Sequence, residues 1–135
     1  MDFSVETGAI KERTIIVDLG QTTSFLWEGE NVFSTPSMIA EMEETCRLLL
    51  KENFLRDPEW DSVGTLVNIK HLAATPVGAE VSFKAKVVSV EGRRVMFEVE
   101  AVDRLEKVGE GQHERFIINI PRFRAKFNEK QKQLV

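Results

Sequence analysis

From Pro36 to Pro58 neither glycine nor proline interrupts the chain, and beyond Ser62 apolar residues recur at every second position. This change of period, from helical to alternating, is the strongest constraint on the fold. Thr35 before Pro36 predicts a hydroxyl N-cap with proline at the first helical position. The helix should run to about Phe54, with Asp57-Pro58 closing it. Val63, Thr65, Val67 and Ile69 should share one face of a strand ending near His71. Val81, Phe83, Ala85 and Val87 should line the next, and Val95, Phe97, Val99 and Ala101 the one after. Glu91-Gly92 between these two predicts a tight antiparallel hairpin. Phe116, Ile118 and Ile120 mark a last strand, with Pro121 at its end. Ahead of the helix, Thr14 to Asp18 reads as a β-branched strand. Thr22 to Trp27 reads as a second extended piece before the turn signal Glu28-Gly29-Glu30-Asn31.

The expected class is therefore α+β, with one long helix and then a four-strand antiparallel meander. A helix of about 19 residues spans roughly 28 Å, about the length of the strands that must cover it. A curved antiparallel sheet wrapped around one central helix is the hotdog arrangement. With 135 residues the chain should be a single domain, 1–135. A lone unit would leave a sheet edge unpaired, so a homodimer or a dimer of dimers is expected. No apolar run is long enough to cross a bilayer, and the start of the chain lacks a signal peptide's apolar stretch. One cysteine fits a reducing compartment, and the expected location is the cytoplasm. Two histidines and one cysteine are too few for a convincing zinc site. A net charge of −4 argues against a nucleic-acid partner. The C-terminal stretch 121–135 is locally basic, carrying Arg122, Arg124, Lys126, Lys130 and Lys132 against Glu129. It reads as a solvated face or as a docking rim for an anionic ligand.

On a helical wheel starting at Met38, the residues Met38, Ile39, Met42, Cys46, Leu49, Leu50 and Phe54 fall within an arc of about 160°. That arc is the expected buried stripe. Glu41, Glu44, Lys51 and Glu52 lie outside it. Glu43 does not: it falls between Leu50 and Phe54. A carboxylate aimed at a core needs a partner or a task. The two readings are a residue at the stripe's margin that snorkels out or pairs with Arg47 at i+4, or an acid–base group held at a cleft. His71 ends a strand before the small-residue run Leu72-Ala73-Ala74-Thr75-Pro76. Thr35 is explained as a cap, at a helix start whose N–H groups also suit a carbonyl oxygen gaining charge. His113 reads as an ordinary exposed strand residue, and Cys46 as core.

Several strings resemble one family. They are Thr35-Pro36-Ser37-Met38-Ile39-Ala40-Glu41-Met42-Glu43, Val63-Gly64-Thr65, His71-Leu72-Ala73-Ala74-Thr75-Pro76-Val77-Gly78, Val90-Glu91-Gly92-Arg93-Arg94 and Gly109-Glu110-Gly111-Gln112-His113-Glu114-Arg115. In this order they are similar to the fluoroacetyl-CoA thioesterase family of hotdog proteins, across roughly residues 32 to 127. The resemblance implies a catalytic threonine, glutamate and histidine at Thr35, Glu43 and His71, in a site built across a dimer. It also implies that Gly64 and Arg115 line the substrate site, and that no metal or redox cofactor is needed. The expected function is hydrolysis of a short-chain acyl-CoA to free acid and CoA. The alternative is a hotdog protein that binds acyl-CoA without turning it over. The segment before the helix is shorter than the family's phenylalanine lid, leaving Phe25, Trp27 and Phe33 as loose candidates for that role. A general small-acyl substrate is expected on that account.

Overall fold

The computed structural model describes residues 4–24 and 30–135. In chain order the elements are strand β1 (Ile10–Ile16), two short strands β2 (Thr22–Thr23) and β3 (Val32–Phe33), and helix α1 (Thr35–Asn53). Strands β4 (Trp60–His71), β5 (Glu80–Glu91), β6 (Arg94–Val102) and β7 (Lys107–Asn119) follow, and then helix α2 (Ile120–Leu134). Five strands make one antiparallel sheet in the order β1-β5-β6-β7-β4, while β2 and β3 pair with each other. The sheet lays one face against α1. This is the expected hotdog fold.

The helix follows its sequence closely. Met38, Met42, Thr45, Cys46, Leu49 and Leu50 are its buried residues. They meet Val81, Phe83, Ala85 and Val87 of β5, and Val95, Phe97, Val99 and Ala101 of β6, all buried as their alternation predicts. Each large side chain so buried contributes about 1.5–3 kcal/mol before entropy is counted. The β5–β6 hairpin also forms as predicted: Glu91 pairs with Arg94, and Gly92 takes φ +61° in the turn between them.

Four expectations need correction. The strands after the helix do not form a simple four-strand meander. Strands β5, β6 and β7 are sequential neighbours, but β4 pairs with β7 at the far edge and β1 pairs with β5. The connection from β4 to β5 crosses the end of the sheet, tied down by Phe33 N–H to Thr75 O at 2.8 Å and Val17 N–H to Ala79 O at 3.0 Å. Second, the first strand lies earlier than its β-branched core suggests, at Ile10–Ile16. Third, β4 does not keep Val63, Thr65, Val67 and Ile69 on one face. A bulge between Gly64 and Leu66 shifts its register against β7, so that Gly64 faces Arg115 while Val67 faces His113 and His71 faces Gly109. Beyond the bulge every side chain changes face.

Fourth, the inward side of β7 is His113, Arg115 and Ile117, and Phe116 is 37% exposed. Ile120 and Pro121 do not end that strand; they begin α2. Asn119 caps this helix by accepting from Arg122 N–H at 3.1 Å. The basic C-terminal stretch is thus an exposed helix, with no buried residue. Among the described residues no helix is long and apolar enough to cross a membrane.

Candidate active site

The start of α1 differs from its expected form in one informative way. The cap is Ser34, whose Oγ accepts from Ser37 N–H at 3.2 Å. Thr35 is already the first helical residue, so its hydroxyl is not needed for capping. Thr35 Oγ1 instead lies 2.7 Å from His71 Nδ1. The other ring nitrogen, His71 Nε2, is buried without a hydrogen-bond partner. A buried nitrogen in that condition costs free energy unless something supplies a partner. The result is a hydroxyl–imidazole pair at a helix N-terminus with one ring nitrogen uncommitted, a form suited to moving a proton.

Glu43 lies two turns further along α1, half-buried. Its expected rival role as a partner of Arg47 is not what forms. Arg47 is held by Glu44 at 2.6 Å and by Asp61 of β4 at 3.1 Å. Among the described residues no side chain hydrogen-bonds or ion-pairs with the Glu43 carboxylate. Gly64 lies beside it: a Cβ there would stand 3.5 Å from Glu43 Oε2, an ordinary contact, and 3.0 Å from His113 Cε1, a tight one.

Next to them, Arg115 is 5% exposed. Its Nε donates to Ser62 Oγ at 2.7 Å, its Nη2 to Ser62 O at 2.8 Å and its Nη1 to His113 Nε2 at 3.1 Å. Burial pulls its pKa below the ordinary arginine value, with the Cys46 and Glu43 side chains drawing it back up. Burial also pushes the Cys46 thiol far up, so that cysteine is core and not a nucleophile. Among the described residues no three His, Cys, Asp or Glu side chains converge as a metal set would.

The predicted residues therefore form two groups in one chain. Thr35 and His71 meet; Glu43, Gly64 and Arg115 meet elsewhere. Eight residues of helix separate Thr35 from Glu43, about 12 Å of rise. His71 and Gly64 stand opposite Gly109 and Arg115, six residues apart on β7, or about 20 Å. His113 is corrected from exposed to 1% exposed, and Phe33 from a lid candidate to core, edge-on to Phe83. Phe25 and Trp27 lie outside the described residues. Ser62 goes unnoticed and His113 reads as outward because hydropathy scores both as polar. Only their even spacing from Gly64 and Arg115 along the strands signalled a common face.

Both histidines titrate below their ordinary value. Burial is the main cause for His71, with the backbone at Ala73 pulling weakly the other way. For His113 burial leads, the Leu66 carbonyl opposes it, and the Arg115 charge adds to the lowering. The unfolded chain then takes up protons first as pH falls. Stability is full above the unfolded histidine value and is lost as pH falls through about 6.5 toward the folded values. Chemical denaturation at about pH 7.5 and about pH 5.5 should show a lower midpoint at the acid end, before carboxylates titrate. Equal midpoints would mean that neither ring is desolvated.

Comparison with known proteins adds a second line. A family model described as fluoroacetyl-CoA-specific thioesterase matches residues 17–121. The fluoroacetyl-CoA thioesterase of Streptantibioticus cattleyicolor is 38% identical over 103 residues, which is 76% of this chain and 73% of that protein. A solved structure of the fluoroacetyl-CoA thioesterase FlK is 32% identical with a TM-score of 0.85, covering 94% of this chain and 98% of that one. A Thermus thermophilus member of the thioesterase superfamily is 25% identical with a TM-score of 0.84, covering 95% and 94%.

Proposed function

Because the chain belongs to the fluoroacetyl-CoA-specific thioesterase family, we propose that it is an acyl-CoA thioesterase that releases a short acyl group as free acid and CoA as thiol. The observation that carries this reading is the Thr35–His71 pair at 2.7 Å, with the buried Nε2 of His71 unpartnered. Thr35, at the positive end of the α1 dipole, polarises the thioester carbonyl. Glu43 supplies the nucleophilic push. It takes the proton of a water whose oxygen attacks the carbonyl carbon, or it attacks directly and the resulting anhydride is hydrolysed. In either route the C–S bond breaks, and His71 delivers the proton that converts the leaving thiolate to thiol.

The separation of Glu43 from Thr35 and His71 within one chain favours a site shared by two protomers. Strand β4 is an edge strand, and residues 64–68 are exposed along it, with Leu66 at 42% and Val67 at 43%. Joining two such edges by a twofold axis would continue the sheet and bring Glu43 of one protomer toward the Thr35–His71 pair of the other. Light scattering should then give about 31 kDa, twice the chain's 15.4 kDa, or a multiple of it.

A panel of acyl-CoAs assayed for free thiol tests the function directly. Thiol release fastest with small acyl groups supports the reading. Saturable acyl-CoA binding with no thiol release across the panel would leave the binding-protein alternative instead. The segment before α1 is short, and Phe33 is committed to the core, so discrimination in favour of a fluorinated acyl group is not expected.

A further inference from the structure

One buried titratable side chain has no part in the chemistry above. His113 sits mid-strand on β7, 1% exposed, its ring stacked on Phe97 with centroids 6.4 Å apart. Both its ring nitrogens are committed, in opposite roles. Nδ1 lies 2.8 Å from Leu66 O, and a carbonyl only accepts, so Nδ1 carries the proton. Nε2 lies 3.1 Å from Arg115 Nη1, and a guanidinium only donates, so Nε2 is the acceptor. A single neutral tautomer satisfies both contacts.

These two contacts straddle the β4 bulge. Leu66 is the first paired residue after it. Arg115 binds Ser62, which lies before it, through both Nε and Nη2. His113 thus grips the strand beyond the bulge directly, and the strand ahead of it through Arg115. The bulge in turn places His71 on the same side as Gly64 and Ser62. Without the extra residue, His71 would fall on the opposite face of β4, away from α1 and Thr35.

We propose that His113 is a positioning residue, a fixed neutral imidazole that pins the β4 bulge and the Arg115 guanidinium, and so holds His71 against Thr35. The proposal rests on the reading of Thr35 and His71 as the proton-handling pair. His113 touches none of the reacting atoms.

Two near-isosteric substitutions separate its bonds. His113→Asn keeps an N–H donor near the Nδ1 position and gives up the contact to Arg115. His113→Gln places an amide near Nε2 and gives up the bond to Leu66 O. If the bulge is what matters, His113→Gln should lose about tenfold or more in kcat with little change in KM, and His113→Asn should recover most of it. The charged groups around the ring are Arg115, Glu43 and Glu114. Since both ring nitrogens of His113 are committed, the acid limb of the pH–rate profile belongs to His71; it should persist in both variants and vanish only in His71→Ala. Nitrogen-15 NMR of the histidines gives an answer independent of turnover. It should show His113 as the neutral Nδ1–H form from about pH 6 to about pH 8. The His71 signals should shift in His113→Gln and stay near wild type in His113→Asn. Wild-type kcat in both variants, an Nε2–H or charged His113, or loss of the pH limb with His113 would each overturn the proposal. If wild-type protein releases no thiol from any acyl-CoA, the proposed function fails while the NMR measurements still decide the role of His113.

Discussion

Glu43→Gln should lower the turnover number for acyl-CoA hydrolysis at least about 100-fold, roughly 2.7 kcal/mol of barrier, with folding stability kept within about 1 kcal/mol. The substitution preserves size and hydrogen-bonding capacity but removes basicity and nucleophilicity. The geometry explains why the two measurements should separate. Glu43 stands at the margin of the core beside Gly64, and Arg47 is engaged by Glu44 and Asp61 instead. Removing its charge breaks no ion pair among the described residues. It relieves a partly buried carboxylate and weakens only a longer-range attraction to Arg115. Kinetics on the purified variant and a denaturant titration make the comparison. Near-normal turnover with reduced stability would make Glu43 a structural counter-charge to Arg115 and remove it from the chemistry.

Mixing two inactive variants should restore activity. His71→Ala should be as poor a catalyst as Glu43→Gln, since it removes the proton carrier from the Thr35 pair. If each site takes Glu43 from one protomer and Thr35 with His71 from the other, a mixed dimer rebuilds one intact site and one doubly defective site. Random exchange makes half the dimers mixed, so about a quarter of wild-type activity should return. Subunits can be exchanged by denaturing the variants together and refolding them. Activity that stays at the level of the separate variants, with mixed dimers verified by mass, would place the three residues in one protomer's site. The roughly 12 Å along α1 between Thr35 and Glu43 would then have to be closed by movement.

Much of the fold was legible because it is written in local periods. The α1 boundaries, the buried stripe from Met38 to Leu50, the inward residues of β5 and β6 and the hairpin at Gly92 all follow from spacing and turn chemistry over short stretches. The suspicion attached to Glu43 was also local, since a wheel needs only the helix itself. The cap was missed by one residue, with a functional consequence. Ser34 and Thr35 are both competent caps, and only the position of His71, 36 residues away, shows which hydroxyl is otherwise occupied.

The sequence by itself determined the class of fold and the central helix, and its helical period singled out Glu43. The tertiary structure alone decided which strand lies at the edge, which face β4 and β7 turn inward, and which candidate residues meet. The reason is physical. Period and propensity act over neighbouring residues, whereas a bulge exists only relative to the strand it pairs with. A buried His113 or Arg115 is tolerable only because Leu66 and Ser62, 47 and 53 residues away in the chain, satisfy it. Hydropathy reads such residues as outward. Their partners turn them in.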